Sequence, residues 1–110
     1  MITDRLDKAH RAFFECGTHE IFKYYGADHQ LLTLLEELGE LSQAVAMFLK
    51  EERPNRAREL FLEELADVQV VISQFMDALS SEDRKLVTDI ALFKIKRQLE
   101  RIDEESNQGA

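Results

Sequence analysis

The chain has 110 residues, which is enough for one domain and too few for two. Its formal net charge of −8 at pH 7 argues against binding to a nucleic-acid polymer or an anionic membrane surface, because both need a basic face. Cys16 is the single cysteine, so an intrachain disulfide and a thiolate metal cluster are excluded. The sequence has neither a signal-peptide pattern nor the roughly 20 consecutive apolar residues of a membrane span. We therefore expect a cytoplasmic protein.

Two amphipathic helices are predicted in the first half of the chain. The first covers residues 3–25 and could break at residues 16–18, where a glycine stands between Cys16 and Thr18. Gly26 then interrupts the pattern, and Asp28 follows at a position where a carboxylate can cap a helix. The second helix covers residues 28–51, since its leucines recur at the i, i+3, i+4, i+7 spacing of one helical face.

The second half of the chain predicts two further helices, one at residues 56–79 and one that reaches about residue 103. Pro54 lies in the polar connection before the third helix, and the residue before a proline disfavours the α region. Residues 80–83, SSED, predict a turn with a helix N-cap. Strand signals are otherwise absent, so we expect an all-α fold, a four-helix bundle or half of a larger one. The domain is predicted to span residues 1–104, followed by a disordered tail at 105–110.

An acidic phrase occurs twice within the apolar runs, as EELGE at residues 36–40 and as EELAD at residues 63–67. Residues three apart on a helix are neighbours on one face. Glu37 therefore pairs with Glu40 on the second helix, and Glu64 pairs with Asp67 on the third. The sequence thus predicts two carboxylate pairs on successive helices.

A helical wheel at about 100° per residue indicates that each phrase has an inward and an outward glutamate. Glu64 falls inside the apolar arc of its helix, and Glu37 falls at the edge of the leucine face. Asp67 lies at the border of its arc, whereas Glu36 and Glu63 point away from the apolar side. Glu40 lies further round on the same side as Glu37, so the wheel supports its inward position least.

Inward carboxylates need a neutralising partner, because a buried charge costs several kcal/mol and close carboxylates repel each other. The candidates are cationic side chains, shared protons or a metal, and hard oxygen ligands in this number suit Mg²⁺ or Mn²⁺. The alternative is a solvated face with i, i+4 ion pairs. That alternative is weakened because the residues four positions after the paired glutamates are not cationic: Glu40 follows Glu36, Leu41 follows Glu37, and Val68 follows Glu64. A di-iron site is disfavoured because it needs Glu-x-x-His pairs, which the chain lacks.

The pattern EExxE, a spacer of a little over twenty residues and then ExxD resembles the signature of the MazG-like all-α nucleoside triphosphate pyrophosphohydrolases. The motif stands here at residues 36–40 and 64–67, and the resemblance covers roughly residues 24–102. It is similar above all to the short MazG-like proteins of phages and bacteria. The chain departs from better-known members by having Tyr25 rather than tryptophan before Gly26.

The resemblance implies hydrolysis of a (d)NTP to the monophosphate and pyrophosphate with Mg²⁺, or Mn²⁺, held by carboxylates, in a helical homo-oligomer. The ligands implied by position are Glu37, Glu40, Glu64 and Asp67. Glu36 matches the first motif glutamate, which could orient or deprotonate the attacking water, so Glu36 and Glu37 are the catalytic candidates. We expect a dimer or a tetramer, because two long amphipathic helix pairs are too little to enclose a nucleotide.

A triphosphate also needs cationic side chains, and the segment FKIKRQLER of the last helix resembles the basic element of the family. It indicates Lys94 and Arg97 as substrate-binding residues, with Lys96 and Arg101 as alternatives and a solvated face as the competing interpretation. Gln30, upstream of the first carboxylate pair, could contact base or ribose, whereas the neighbouring His29 fits a surface or capping position better. A different function class stays open: a non-catalytic helical dimerisation or regulatory module that binds a nucleotide or a protein.

Overall fold

The computed structural model describes residues 2–50 and 54–109, and within these ranges it contains helices and no strand. The all-α prediction is therefore confirmed. A short 3-10 helix at Ile2–Arg5 precedes four α-helices, which are α1 (Lys8–Tyr25), α2 (Ala27–Lys50), α3 (Pro54–Ala78) and α4 (Ser81–Gly109). In the described part of the chain, none of these helices combines the length and the apolar character needed to cross a bilayer.

Asp7 and Gly26 set the two ends of α1. The Asp7 carboxylate accepts a hydrogen bond of 2.8 Å from the backbone N–H of His10, which satisfies one of the free donors at the helix start. Gly26 has φ 84°, a value that favours glycine, and its N–H donates to the carbonyl of Phe22 at 2.8 Å. The Gly26 carbonyl in turn accepts from the N–H of Gln30 at 3.1 Å, so this glycine ends α1 and begins α2.

The break predicted at residues 16–18 is wrong, because α1 continues through this segment. Thr18 is buried, and its hydroxyl donates to the carbonyls of Phe14 and Glu15 within the same helix at 2.9 and 3.0 Å. A single glycine costs a helix only about 1 kcal/mol, which neighbouring packing offsets. The start of this helix was also predicted too early, since the 3-10 helix takes up residues 2–5.

The remaining helix boundaries differ from the predictions by a few residues. Pro54 begins α3, where its missing N–H is not needed, whereas we had expected the helix from residue 56. The predicted end of the second helix at Glu51 lies outside the described residues. At α4 the Ser80 hydroxyl accepts from the N–H of Asp83 at 3.1 Å, which confirms the predicted cap. The same helix continues to Gly109 and so includes residues 105–109 of the predicted disordered tail.

The chain divides into two units, at a boundary between residues 78 and 79, within the domain predicted for residues 1–104. In the first unit, α1, α2 and α3 pack together. Two contacts show that α2 and α3 are antiparallel: Gln30 meets Gln74 near the start of α2, and Phe48 meets Phe61 near its end. Phe22 of α1 packs edge-on against Phe75 of α3, with ring centroids 5.3 Å apart. The second unit is essentially the single helix α4.

The core of the first unit is small. The fully buried apolar side chains among the described residues are Ala44, Ala57, Val68 and Val71. Several leucines on the predicted apolar face of α2 are exposed instead, and Leu35 is 68% accessible. Within the described residues, α1 and α3 therefore cover only part of this apolar face. The uncovered part is an apolar surface formed by Leu31, Leu35 and Leu38.

Candidate functional site

The antiparallel pairing of α2 and α3 brings the two predicted carboxylate pairs together. The cluster consists of Glu37 and Glu40 on α2 and of Glu64 and Asp67 on α3. One carboxylate oxygen from each residue lies within 4.8 Å of the corresponding oxygen of every other. Each pair is spaced i, i+3, so both side chains of a pair reach the same helix–helix interface.

Burial separates the inner members of this carboxylate cluster from the outer ones. Glu37 and Glu64 are half-buried, and one oxygen of each, Oε2, is buried without a hydrogen-bond partner. Glu40 and Asp67 are exposed at the rim. The sequence neighbours Glu36 and Glu63 are also exposed, as the helical wheel indicated, and they lie outside the cluster.

The surroundings of the two inner glutamates disfavour their charged forms. Burial raises the pKa of Glu37, and the nearby carboxylates of Glu40, Asp67 and Glu64 raise it further. Burial likewise raises the pKa of Glu64, with the carboxylates of Glu40 and Asp67 adding to the effect. No lysine or arginine within residues 2–50 and 54–78 forms an ion pair with any member of the cluster. Among residues 2–50 and 54–78, therefore, no cationic side chain neutralises the negative charge of the cluster.

The donor set fits a hard divalent cation. All four ligand candidates are carboxylate oxygens, which Mg²⁺ and Mn²⁺ prefer, and no histidine or cysteine belongs to the cluster. The two unpartnered Oε2 atoms also support a bound cation. A buried oxygen without a hydrogen-bond donor is costly unless another group binds it. The cluster can therefore hold a cation between α2 and α3.

A cavity of about 360 Å³ adjoins the cluster and includes Glu37 and Asp67 in its wall. This volume is at the small end of the range for ligand pockets, roughly 300–1,000 Å³. The Tyr25 ring stacks on the His29 ring with centroids 4.6 Å apart and an angle of 17°. The other residues of the wall are Ile21, Gln30, Thr33, Val70, Val71 and Gln74. The cavity thus combines aromatic, apolar and amide groups next to the carboxylates.

Two buried glutamines form a polar chain across this cavity. His29 Nδ1 donates to Gln30 Oε1 at 2.7 Å, and Gln30 Nε2 donates to Gln74 Oε1, also at 2.7 Å. Gln30 is 3% exposed and Gln74 is 2% exposed. The sequence had indicated Gln30 as substrate-binding, and the structure places it in the cavity wall. His29, for which a surface or capping position was expected, is exposed and also lines the cavity.

Sequence reasoning missed Gln74 and Tyr25 as cavity residues. Gln74 lies seven residues after Asp67, which is two turns along the same face of α3. This seven-residue spacing was the sequence signal that could have placed Gln74 on the face of α3 that carries Asp67. Tyr25 had been noted only as the residue before Gly26, and its role depends on the way in which Gly26 turns the chain toward α2.

The predicted basic residues belong to α4, in the second unit, whereas the carboxylate cluster belongs to the first. At about 100° per residue, Lys94, Arg97 and Arg101 fall within roughly 60° of one another on the helix, and Lys96 lies on the opposite side. All four side chains are exposed. Lys94, Arg97 and Arg101 form one basic stripe on α4, and Lys96 lies outside it.

Comparison with known proteins identifies no relative of the chain. No family model matches the chain, and neither the curated proteins nor the solved structures contain a match. The functional conclusion therefore depends on the carboxylate cluster, its unpartnered oxygens and the adjoining cavity.

Proposed function

We propose that the protein is a divalent-cation-dependent nucleoside triphosphate pyrophosphohydrolase, similar to the MazG-like enzymes, that removes nucleotides from the cellular pool. The observation that carries the proposal is the unpartnered Oε2 pair of Glu37 and Glu64 inside a cluster of four carboxylates. The cluster opens on a cavity that could take a base and a ribose. The proposed reaction converts a (d)NTP and water into a (d)NMP and pyrophosphate.

In this proposal the four carboxylates hold Mg²⁺ or Mn²⁺, which neutralises phosphate oxygens and lowers the pKa of bound water. Glu37 and Glu64 would hold the cation at the α2–α3 interface, because one oxygen of each is buried there without a partner. Glu36 is exposed beside the cluster in sequence, and orienting or deprotonating the attacking water remains its proposed role. Lys94 and Arg97 are the proposed phosphate-binding cations.

The reaction is tested by assaying a panel of (d)NTPs for pyrophosphate release with and without Mn²⁺. We expect release from at least one nucleotide, loss of release in Glu64→Gln and retention in Glu63→Gln. The two substitutions remove the same charge from adjacent positions, but only Glu64 belongs to the cluster. Full activity in folded Glu64→Gln would refute the assignment. Nucleotide binding without any hydrolysis would support the non-catalytic module instead.

We further propose that the active form is a homo-oligomer, a dimer or a tetramer. The exposed surface of Leu31, Leu35 and Leu38 is apolar, and such contiguous patches usually mark an interface. On α4, one side of the helix carries Leu86, Ile90 and Phe93. The opposite side carries Leu92, Ile95, Leu99 and Ile102. A helix with two apolar sides can contact two different surfaces, which suits an assembly of several chains.

The oligomeric state is tested by light scattering coupled to size exclusion at micromolar concentration. Leu35→Lys should reduce the mass toward that of one chain, because it places a charge in the proposed interface. Gln43→Lys, at an exposed polar position of the same helix, is the matched control and should leave the mass unchanged. A monomeric wild type would contradict the proposal.

A further inference from the structure

The buried polar chain ends at Gln74, a residue that lines the cavity. Gln30 Oε1 accepts from His29, and Gln30 Nε2 donates to Gln74 Oε1. These two bonds fix the orientation of both amides, so that the Gln74 nitrogen is left at the end of the chain. Within the described part of the protein, that nitrogen donates to no side chain or backbone group, although the residue is only 2% exposed and lines the cavity.

An amide nitrogen of a cavity-lining residue that has no acceptor in the protein can donate a hydrogen bond to a ligand bound there. The acceptor must belong to a group that fits a cavity whose wall includes Val70, Val71 and the stacked Tyr25–His29 pair. A planar heterocycle with a carbonyl at its edge meets both conditions. An edge with an exocyclic amine would place two donors against each other.

The carboxylate cluster decides which edge of such a heterocycle reaches Gln74. Gln30 and Glu37 are seven residues apart on α2, a separation of about 10 Å along the helix axis. Under the proposed function the phosphates lie at the carboxylates, so the sugar points toward Glu37 and the base toward the glutamines. The edge that meets Gln74 is then the one farthest from the glycosidic bond, which is position 4 of a pyrimidine or position 6 of a purine.

We propose that Gln74 is the residue that determines base specificity, and that it selects nucleotides whose base carries a carbonyl rather than an amine at this distal position. Gln30 and His29 act as positioning residues, because they hold the Gln74 amide with its nitrogen toward the ligand. This inference rests on the proposed function for the direction in which the ligand lies. The hydrogen-bond chain itself is independent of any cation.

The test uses nucleosides as neutral probes on the full chain in the presence of a chelator, so that neither catalysis nor cation binding is needed. Two matched pairs differ at the distal position: uridine against cytidine, and inosine against adenosine. Ligand titrations followed by NMR should show the carbonyl member of each pair binding about tenfold more tightly, the effect of one good hydrogen bond. Equal affinity within both pairs, or no binding of any probe, would overturn the inference.

Two variants sharpen this test. Gln74→Met has a similar length and no polar end, so the preference should vanish. Gln69→Met makes the same chemical change at an exposed position of α3 and should retain the wild-type ratio. A folded Gln74→Met variant that keeps the wild-type ratio would overturn the inference, because a merely structural glutamine would not alter base preference.

A measurement on the wild type covers the case in which the Gln74→Met variant fails to fold. The side-chain amide resonances of Gln74 should shift with uridine and stay in place with cytidine, and unchanged resonances with both would count against the proposal. The pyrophosphate assay separates this inference from the proposed function. Hydrolysis without carbonyl preference would refute the inference alone, and carbonyl preference without hydrolysis would refute the enzymatic activity alone.

Discussion

The thermal stability of the protein should respond to Mn²⁺ through Glu64 and not through Glu63. A ligand that binds only the folded state stabilises it by RT ln(1 + [L]/Kd), which is about 2.7 kcal/mol at a concentration 100 times the Kd. For a chain of 110 residues this corresponds to an increase in Tm of about 10 °C. The structure allows this binding because the four carboxylate oxygens already lie within 4.8 Å of one another.

Glu64→Gln removes one of the two ligands whose Oε2 is buried without a partner. Loss of groups that merely support metal ligands lowers affinity about 10- to 100-fold, so loss of a ligand should cost at least about 100-fold. At the same Mn²⁺ concentration the stabilisation then falls to about 0.4 kcal/mol, and the Tm shift falls to roughly 2 °C. Glu63→Gln is exposed and outside the cluster, so it should keep the full shift.

Differential scanning calorimetry of the two variants and the wild type, at matched protein concentration and with a chelator blank, measures these shifts. Titration with Mn²⁺ gives the Kd from the concentration dependence of Tm. Equal Mn²⁺ shifts in Glu63→Gln and Glu64→Gln would show that the cation binds to general surface charge. A wild type without any shift would refute the carboxylate cluster as a cation site.

Two further predictions concern pH and packing. The folded protein raises the pKa values of Glu37 and Glu64 above 4.5, so the protonated side chains favour the folded state. This contribution to the free energy of unfolding is present below about pH 4.5 and is lost as pH rises through the raised pKa values. The difference in Tm between chelator-treated Glu37→Gln and wild type should therefore increase above pH 4.5, and a difference independent of pH would contradict the reasoning. Val71→Ala should cost about 2 kcal/mol in urea unfolding, since Val71 is buried, whereas Ile72→Ala, at a half-exposed neighbouring position, should cost less. Equal losses of unfolding free energy in Val71→Ala and Ile72→Ala would contradict the burial of Val71.

Periodicity was sufficient to predict the helices and the inner and outer glutamates. Hydrophobic spacing along α2 and α3 depends only on 3.6 residues per turn, so the orientation of Glu37 against Glu36, and of Glu64 against Glu63, follows from each helix alone. Local signals were less reliable at boundaries. α1 continues through Gly17, although this glycine had indicated a break, because one glycine costs a helix only about 1 kcal/mol.

Only the carboxylates of the candidate site could be predicted from the sequence, because they recur as a motif on α2 and on α3. The cavity needed the tertiary structure. Gln30 and Gln74 are 44 residues apart, and nothing in either local sequence indicates that their amides share a hydrogen bond. Tyr25 reaches His29 because Gly26 adopts φ 84° between two helices.

What the sequence by itself determined is the all-α class, the helix faces and the identity of the clustered acids, since these depend on residue type and spacing within single helices. Only the tertiary structure decided that α2 and α3 pair antiparallel in the register that joins Gln30 to Gln74 and Glu37 to Asp67. It also decided that Leu35 and its neighbours remain uncovered. The physical reason is that register and coverage depend on how side chains of distant segments fill a shared interface, a property that no single helix possesses.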